Sequence, residues 1–102
     1  ERVLGGDRGA AATLVERVVT PLRGADSSVE DTLRAYLDSG GHVEKCAREL
    51  YVHPNTVRYR LKRVSQITAY DPLNARDAFV LRIALVLGKF DERRSQENQI
   101  VT

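Results

Sequence analysis

Apolar residues recur with the spacing of an α-helix in five stretches of the chain, and short polar or glycine-containing segments separate them. The first stretch predicts a helix over residues 10–19 that stops near Pro21, because proline lacks the N–H that a helical ladder needs. The second predicts a helix that begins at Ser28, where Asp31 makes a start similar to a capping box, and that ends at the glycine pair 40–41. No stretch alternates apolar and polar residues like a β-strand, so the predicted fold is all-α.

The next two stretches lie close together in residues 42–68 and predict two short helices joined by a tight turn. On the first helix, small or apolar side chains form one stripe that lets another helix cross closely: Val43, Cys46, Ala47 and Leu50. On the second, Pro54 suits the first helical position and places His53 at the N-cap. The predicted underside of this helix consists of Val57, Leu61, Val64 and Thr68. Two helices in this arrangement form a helix-turn-helix.

The fifth stretch, residues 75–88, is apolar on nearly every side and must be covered on more than one side. It is predicted to begin at an N-cap, Asn74, and to end at Gly88. We expect it to be the central core helix with a share in a dimer interface; the alternatives are either role alone. Residues 91–102 are predicted to be a flexible polar tail, and residues 1–9 a linker or the cut edge of a longer protein.

These elements predict one domain over residues 10–90, a small bundle of about five helices, and 102 residues suffice for one modest core. The single cysteine excludes an internal disulfide, and no apolar run reaches the roughly eighteen residues needed to cross a bilayer. Nothing resembles a signal peptide. We therefore expect a reducing cytoplasm as the compartment, with no membrane contact.

Charge is concentrated in the helix-turn-helix unit. No acidic residue lies between Leu50 and Tyr70, whereas four of the sixteen basic residues do. The rest of the chain holds the other twelve basic residues against all fourteen acidic ones, so the positive balance of the protein lies in this one segment. A local excess of this kind is typical of a surface that binds phosphate.

The outward face of the second helix carries the chemistry of a DNA reader. Asparagine can bind adenine and arginine can bind guanine in two-point contacts, and the first turns of such a helix enter the groove deepest. The predicted base-reading residues are Asn55, Thr56, Arg58 and Tyr59. The predicted phosphate-binding residues are His53, Arg60, Lys62, Arg63 and Gln66; Arg60 lies near the boundary, so its stem can pack while its guanidinium reaches a phosphate or a carboxylate. The alternative interpretation is a solvated basic face.

The sequence gives little support for a metal site, a cofactor or an enzymatic activity. His42 and His53 are eleven residues apart with only Cys46 nearby, a spacing that fits no usual zinc site, and Cys46 is most simply a small core residue. The chain has no nucleotide-binding glycine loop, no Gly-x-Ser-x-Gly elbow and no paired carboxylates in an apolar setting. We therefore predict neither an enzyme nor a metal site or cofactor.

At residues 32–87 the chain resembles the C-terminal helix-turn-helix domain of PucR/CdaR-type bacterial transcription regulators. The most specific matches are TLRAYL, the pair Ala47 and Leu50, and VHPNTVRYRL; the unit is also similar to the helix-turn-helix of Fis-like proteins. The resemblance implies a recognition helix at about 54–68 and a larger N-terminal effector-sensing region in the intact regulator. Three positions depart from the pattern: Pro54 stands where arginine is frequent, Ala69 where glycine is usual, and Tyr51 where many helix-turn-helix proteins use glycine.

The function predicted from sequence is specific binding of double-stranded DNA in the major groove by the DNA-binding domain of a transcription regulator at the bacterial nucleoid. A homodimer is expected, with helix 75–88 and the N-terminal helix as its interface, because a single helix-turn-helix buries little surface. One alternative is a helical protein-interaction or oligomerisation module whose basic helix docks an acidic partner. Binding of single strands or RNA is the third hypothesis, although only Tyr51 and Tyr59 supply aromatic rings near the basic face.

Overall fold

Five helices make up the part of the chain that the computed structural model describes, residues 9–101. Helix α1 covers residues 9–23 and includes a π-helical turn, Val15–Val19, before its last turn, Thr20–Arg23. The remaining helices are α2 (Ser27–Asp38), α3 (Val43–Leu50), α4 (Pro54–Thr68) and α5 (Ala75–Val101). No strand occurs within residues 9–101, and the prediction of an all-α fold is confirmed. None of these helices is long and apolar enough to span a membrane.

Two helix boundaries differ slightly from the predicted ones. Helix α1 passes Pro21 and ends at Arg23. The wider π-helical turn before the proline, in which the Thr20 N–H donates to the Val15 carbonyl, gives the pyrrolidine ring room beside the preceding turn. Helix α2 has Asp26 rather than Ser28 as its N-cap, because the Asp26 carboxylate accepts from the Ser28 N–H at 3.1 Å.

Helix α4 is the centre of the bundle and packs against α1, α2 and α3. Its predicted underside is confirmed: Val57, Leu61 and Val64 are almost fully buried and Thr68 is buried beside them. The prediction that the last helix is the central core helix is wrong. Helix α5 packs chiefly on α1 through its buried face (Leu81, Ala84 and Leu85), while the opposite face is exposed.

The prediction that the last helix ends at Gly88 is also wrong. Asn74 caps α5 as predicted, since its Oδ1 accepts from the Asp77 N–H at 3.0 Å, but the helix continues through Gly88 to Val101. Gly88 is buried against Val19 of α1, where an added Cβ would lie 2.8 Å from Cγ2 of the valine. The glycine therefore serves close helix packing and does not terminate the helix.

The helix α5 thus includes residues 91–101, which were predicted to form a flexible tail. The predicted linker, residues 1–9, lies outside the described residues except for residue 9, which is helical. The division of the chain into a linker, a domain over residues 10–90 and a tail stays a prediction.

Two non-glycine residues within the described part of the chain have left-handed backbone: Tyr51 with φ 58° and Ala69 with φ 67°. Each follows the end of a helix, at the position that glycine fills most easily. We expect Ala69→Gly to raise the free energy of unfolding by about 1 kcal/mol, because glycine relieves the clash of Cβ with the backbone. Urea denaturation followed by circular dichroism measures the change, and an unchanged midpoint would show that Ala69 is not strained.

Candidate nucleic-acid interface

The turn between α3 and α4 is built by the backbone at the end of α3. The Val52 N–H donates to the Ala47 carbonyl at 3.0 Å and the Tyr51 N–H to the Arg48 carbonyl at 3.3 Å, a Schellman motif that closes α3. Cys46 and Ala47 are buried and small, so α3 and α4 approach closely. The predicted helix-turn-helix unit is therefore formed.

The start of α4 is fixed by His53. As predicted, His53 is the N-cap: its backbone is extended, and Nδ1 accepts a hydrogen bond from the Asn55 N–H at 3.0 Å. Pro54 follows at the first helical position. Because Nδ1 accepts, Nε2 of the neutral imidazole carries the proton and is the nitrogen that can donate to an external acceptor.

The outward side of α4 gathers most of the predicted site residues. Asn55, Tyr59, Lys62 and Gln66 recur at helical spacing and are all exposed, Tyr59 to 66%. Arg58 is exposed on one flank, and Thr56 and Arg63 are partly exposed on the other. One side of one helix thus presents amide, phenol, hydroxyl and cationic groups together.

Two of the arginines on this side are held by amides one turn away. Arg58 Nη1 donates to Asn55 Oδ1 at 3.1 Å, and Arg63 Nη1 donates to Gln66 Oε1 at 2.9 Å. Among the described side chains, neither ion pair of the domain involves α4: one joins Arg34 to Glu30 and the other Arg82 to Asp38. The cations of α4 are therefore oriented by neutral partners and keep their charge available for a phosphate or a base.

Arg60 lies apart from the other cations. Its Nη1 donates to the Thr32 hydroxyl at 3.3 Å, and Thr32 is fully buried in α2. In the free domain Arg60 therefore ties α4 to α2, and its phosphate contact stays a prediction. The partner of Arg60 is 28 residues away in sequence, so helical spacing alone gave no signal of it.

Cys46 and the histidines form no chemical centre. Burial raises the pKa of the Cys46 thiol, with a smaller contribution from the Glu49 carboxylate, and the thiol contacts the Thr32 carbonyl at 3.8 Å. A buried, protonated thiol is neither a nucleophile nor a metal ligand. Within the described residues, no group of three or more His, Cys, Asp or Glu side chains is arranged to hold a metal ion.

Sequence reasoning predicted that the last helix shares in a dimer interface but did not identify which of its apolar side chains stay exposed. Phe79, Ile83, Val86 and Phe90 form an apolar stripe on one side of this helix, α5, with 38% to 65% of their surfaces exposed. The sequence showed that the helix is apolar on nearly every side, but only the packing of α5 on α1 determines which side stays uncovered. The spacing of four, three and four residues was the available signal.

Comparison with known proteins assigns this unit to a family. Residues 30–87 match the PucR C-terminal helix-turn-helix domain. The chain belongs to this family. As a PucR-type domain it binds DNA in transcription regulation and is not an enzyme.

The relatives of this PucR-type domain are regulators or uncharacterized proteins. It is 52% identical over 91 residues to an uncharacterized protein of Mycobacterium tuberculosis, covering 89% of this chain and 22% of that protein. It is 32% identical to the DNA-binding transcriptional activator AdeR of Bacillus subtilis, covering 68% of this chain and 16% of AdeR. The chain thus spans at most about a fifth of these curated relatives.

A solved structure shares the fold of the PucR-type domain. The crystal structure of a regulator of polyketide synthase expression from Bifidobacterium adolescentis superposes with a TM-score of 0.81 at 42% identity. The match covers 88% of this chain and 38% of that one. The helical architecture and its arrangement around α4 are therefore shared with a known regulator.

Proposed function

We propose that this PucR-type domain reads a specific double-stranded DNA sequence by inserting α4 into the major groove. The observation that supports this most is the outward side of α4, where exposed amide and cationic groups stand together without an acidic partner among the described residues. An α-helix with its side chains is about 10–12 Å across, which matches the width of the major groove, about 12 Å. The groove therefore accommodates the segment that carries the site.

The roles of the residues follow from their positions on α4. Asn55, Thr56, Arg58 and Tyr59 occupy the first two turns and are proposed to contact bases, since those turns lie deepest in the groove. The bond between Arg58 and Asn55 holds the guanidinium over these turns before DNA arrives. The proposed phosphate contacts are made by His53 through Nε2, and by Arg60, Lys62, Arg63 and Gln66.

The test begins with selection of bound duplexes from a random pool. We expect Arg58→Ala or Tyr59→Ala to lower affinity for the selected duplex about tenfold or more, because base contacts are lost. The loss of affinity for random DNA should be smaller. Lys62→Ala should weaken binding to the selected and the random duplex alike, because one phosphate contact disappears. It should also reduce the slope of log affinity against log salt concentration by about one unit. Fluorescence anisotropy at several salt concentrations measures both effects. Equal losses on both DNAs for all three variants contradict the assignment.

A protein-interaction module is the second candidate function, and the exposed apolar stripe on α5 favours it. In that case α4 would dock an acidic partner. Titration with duplex DNA, single strands and RNA of one sequence separates the hypotheses: preference for duplex supports the first, and failure to bind any nucleic acid leaves the second.

The proposed regulator is a homodimer whose second copy covers the α5 stripe. The apolar side chains on that stripe follow the alternating four- and three-residue spacing of a helix-helix seam. The opposite side of α5 is buried against α1, where Gly88 contacts Val19, so α5 is held with its stripe outward. The buried residues of α1 (Val18, Val19 and Leu22) are engaged within the protomer, so α5 rather than the N-terminal helix carries most of the proposed interface.

The remaining parts of the proposal concern the intact regulator. Because the curated relatives are several times longer than the matched segment, we propose that an N-terminal effector-sensing region accompanies this domain. Its working compartment is proposed to be the bacterial cytoplasm at the nucleoid, where the DNA lies.

A further inference from the structure

Tyr51 is a residue whose side chain has no role in the fold. Its backbone N–H closes the end of α3 by donating to the Arg48 carbonyl, and its φ of 58° makes the left-handed turn that leads to α4. The residue, however, is 93% exposed, and its phenol makes none of the side-chain hydrogen bonds found among the described residues. All that folding requires of this position is therefore supplied by the backbone.

Tyrosine is a costly residue at such a position. A left-handed backbone places Cβ against the following carbonyl, which glycine avoids, and a bulky residue there is a genuine outlier. Burial of the ring would offset this strain, but the ring is exposed. Ala69, the other strained residue in the described region, exposes only a methyl group. Strain that the fold does not compensate is a recurrent mark of functional sites.

The position of Tyr51 points to DNA. It precedes the N-cap His53 by two residues, so its Cα lies within about 7 Å of the end of α4 that is proposed to enter the groove. In the proposed complex, the chain segment next to that end faces the sugar-phosphate strand that borders the groove. Tyrosine hydroxyls regularly donate hydrogen bonds to phosphate oxygens.

We propose that Tyr51 is a DNA-backbone contact: its hydroxyl donates to a phosphate oxygen and its ring packs on the adjoining sugar, which sets the depth of α4 in the groove. The inference rests on the proposed duplex binding and adds a contact outside the recognition helix. Because the hydroxyl is neutral and releases no counterion, its loss weakens binding without changing the salt dependence. This distinguishes Tyr51 from the cations of α4.

The experiment measures both thermal stability and DNA affinity in one pair of variants. Tyr51→Gly is expected to raise Tm by about 5 °C, because strain is relieved, and to weaken binding to selected and random duplexes alike by roughly five- to tenfold with an unchanged salt slope. Ala69→Gly is the matched control, since it relieves the same strain beyond the other end of α4. It should raise Tm similarly and leave DNA affinity unchanged.

Tyr51→Ala keeps the left-handed strain and is expected to lose the same affinity without the gain in Tm. Wild-type binding to the selected duplex checks the proposed function first, and its absence refutes that function. Where the wild type binds, an affinity equal to that of the wild type in both Tyr51 variants overturns the backbone contact alone. A salt slope that falls with Tyr51→Ala overturns it as well, because a neutral donor cannot account for such a fall.

Discussion

Val86→Glu is expected to leave the domain folded and its affinity for a single half-site unchanged, yet to lower affinity for a duplex with two half-sites about a hundredfold or more. Val86 is 63% exposed on α5, so a carboxylate there stays hydrated in the isolated protomer. In the proposed dimer the same carboxylate would lie within an apolar seam, where an unpaired charge is strongly unfavourable. Loss of the second copy removes the gain from binding two half-sites together.

Anisotropy titrations against the two duplexes measure this difference directly. The matched control is Ser27→Glu, which adds the same charge to an exposed position at the start of α2, away from the α5 stripe, and should bind both duplexes as the wild type does. If Val86→Glu also binds both duplexes like the wild type, α5 is not the dimer interface. Weaker binding to the single half-site would instead indicate damage to the fold or to α4.

The size of the stripe indicates how strong the dimer is. Four large, partly exposed apolar side chains can bury on the order of 400 Å² per protomer, about half of what a standard interface buries on each partner. Such a contact is weak for free protomers and becomes effective when DNA holds two of them side by side. Sedimentation therefore needs protein at hundreds of micromolar to detect the dimer, whereas cooperative binding to two half-sites detects it at much lower concentration.

Features of the site that depend on local sequence were predictable. Pro54 marks the first turn of α4, which identifies His53 as the cap, and the helical period then assigns Val57, Leu61 and Val64 to the buried side. The outward side follows because it is the complement of the buried one. Local rules did not identify the N-cap where two residues suit it equally well. At the start of α2, both Asp26 and Ser28 are favourable N-cap residues.

Features that depend on distant contacts were not predictable. Arg60 was predicted to bind phosphate because its charge belongs to the basic run, and that contact stays a prediction. Its hydrogen bond to Thr32 was not predictable, because it requires knowledge of how α2 crosses α4. Gly88 looked like the end of a helix because glycine is common there. Its contact with Val19, 69 positions earlier in the chain, shows that the glycine instead allows close packing of α5 on α1. The exposed stripe of α5 is a consequence of the same contact.

The largest expected loss of stability follows from Gly88→Val. A Cβ at position 88 would lie 2.8 and 2.9 Å from the two Cγ atoms of Val19, which is 1% exposed and packed in the core. We expect the free energy of unfolding to fall by about 3 kcal/mol, at the upper end of the usual cost of overpacking, although valine favours a helix more than glycine does. Urea denaturation monitored by circular dichroism measures the loss.

A double variant tests whether the contact with Val19 causes that loss. Val19→Ala alone should destabilise the domain by about 2 kcal/mol, because it leaves a small cavity between α1 and α5. In combination with Gly88→Val it supplies the room that the new side chain needs, so the double variant should be more stable than Gly88→Val by at least about 1 kcal/mol. If the two losses simply add, position 88 is destabilised for a reason other than its contact with α1. If the double variant is more stable than the sum of the two losses predicts, this would also support the outward orientation of the α5 stripe. The same contact between α1 and α5 holds Gly88 inward and the stripe outward.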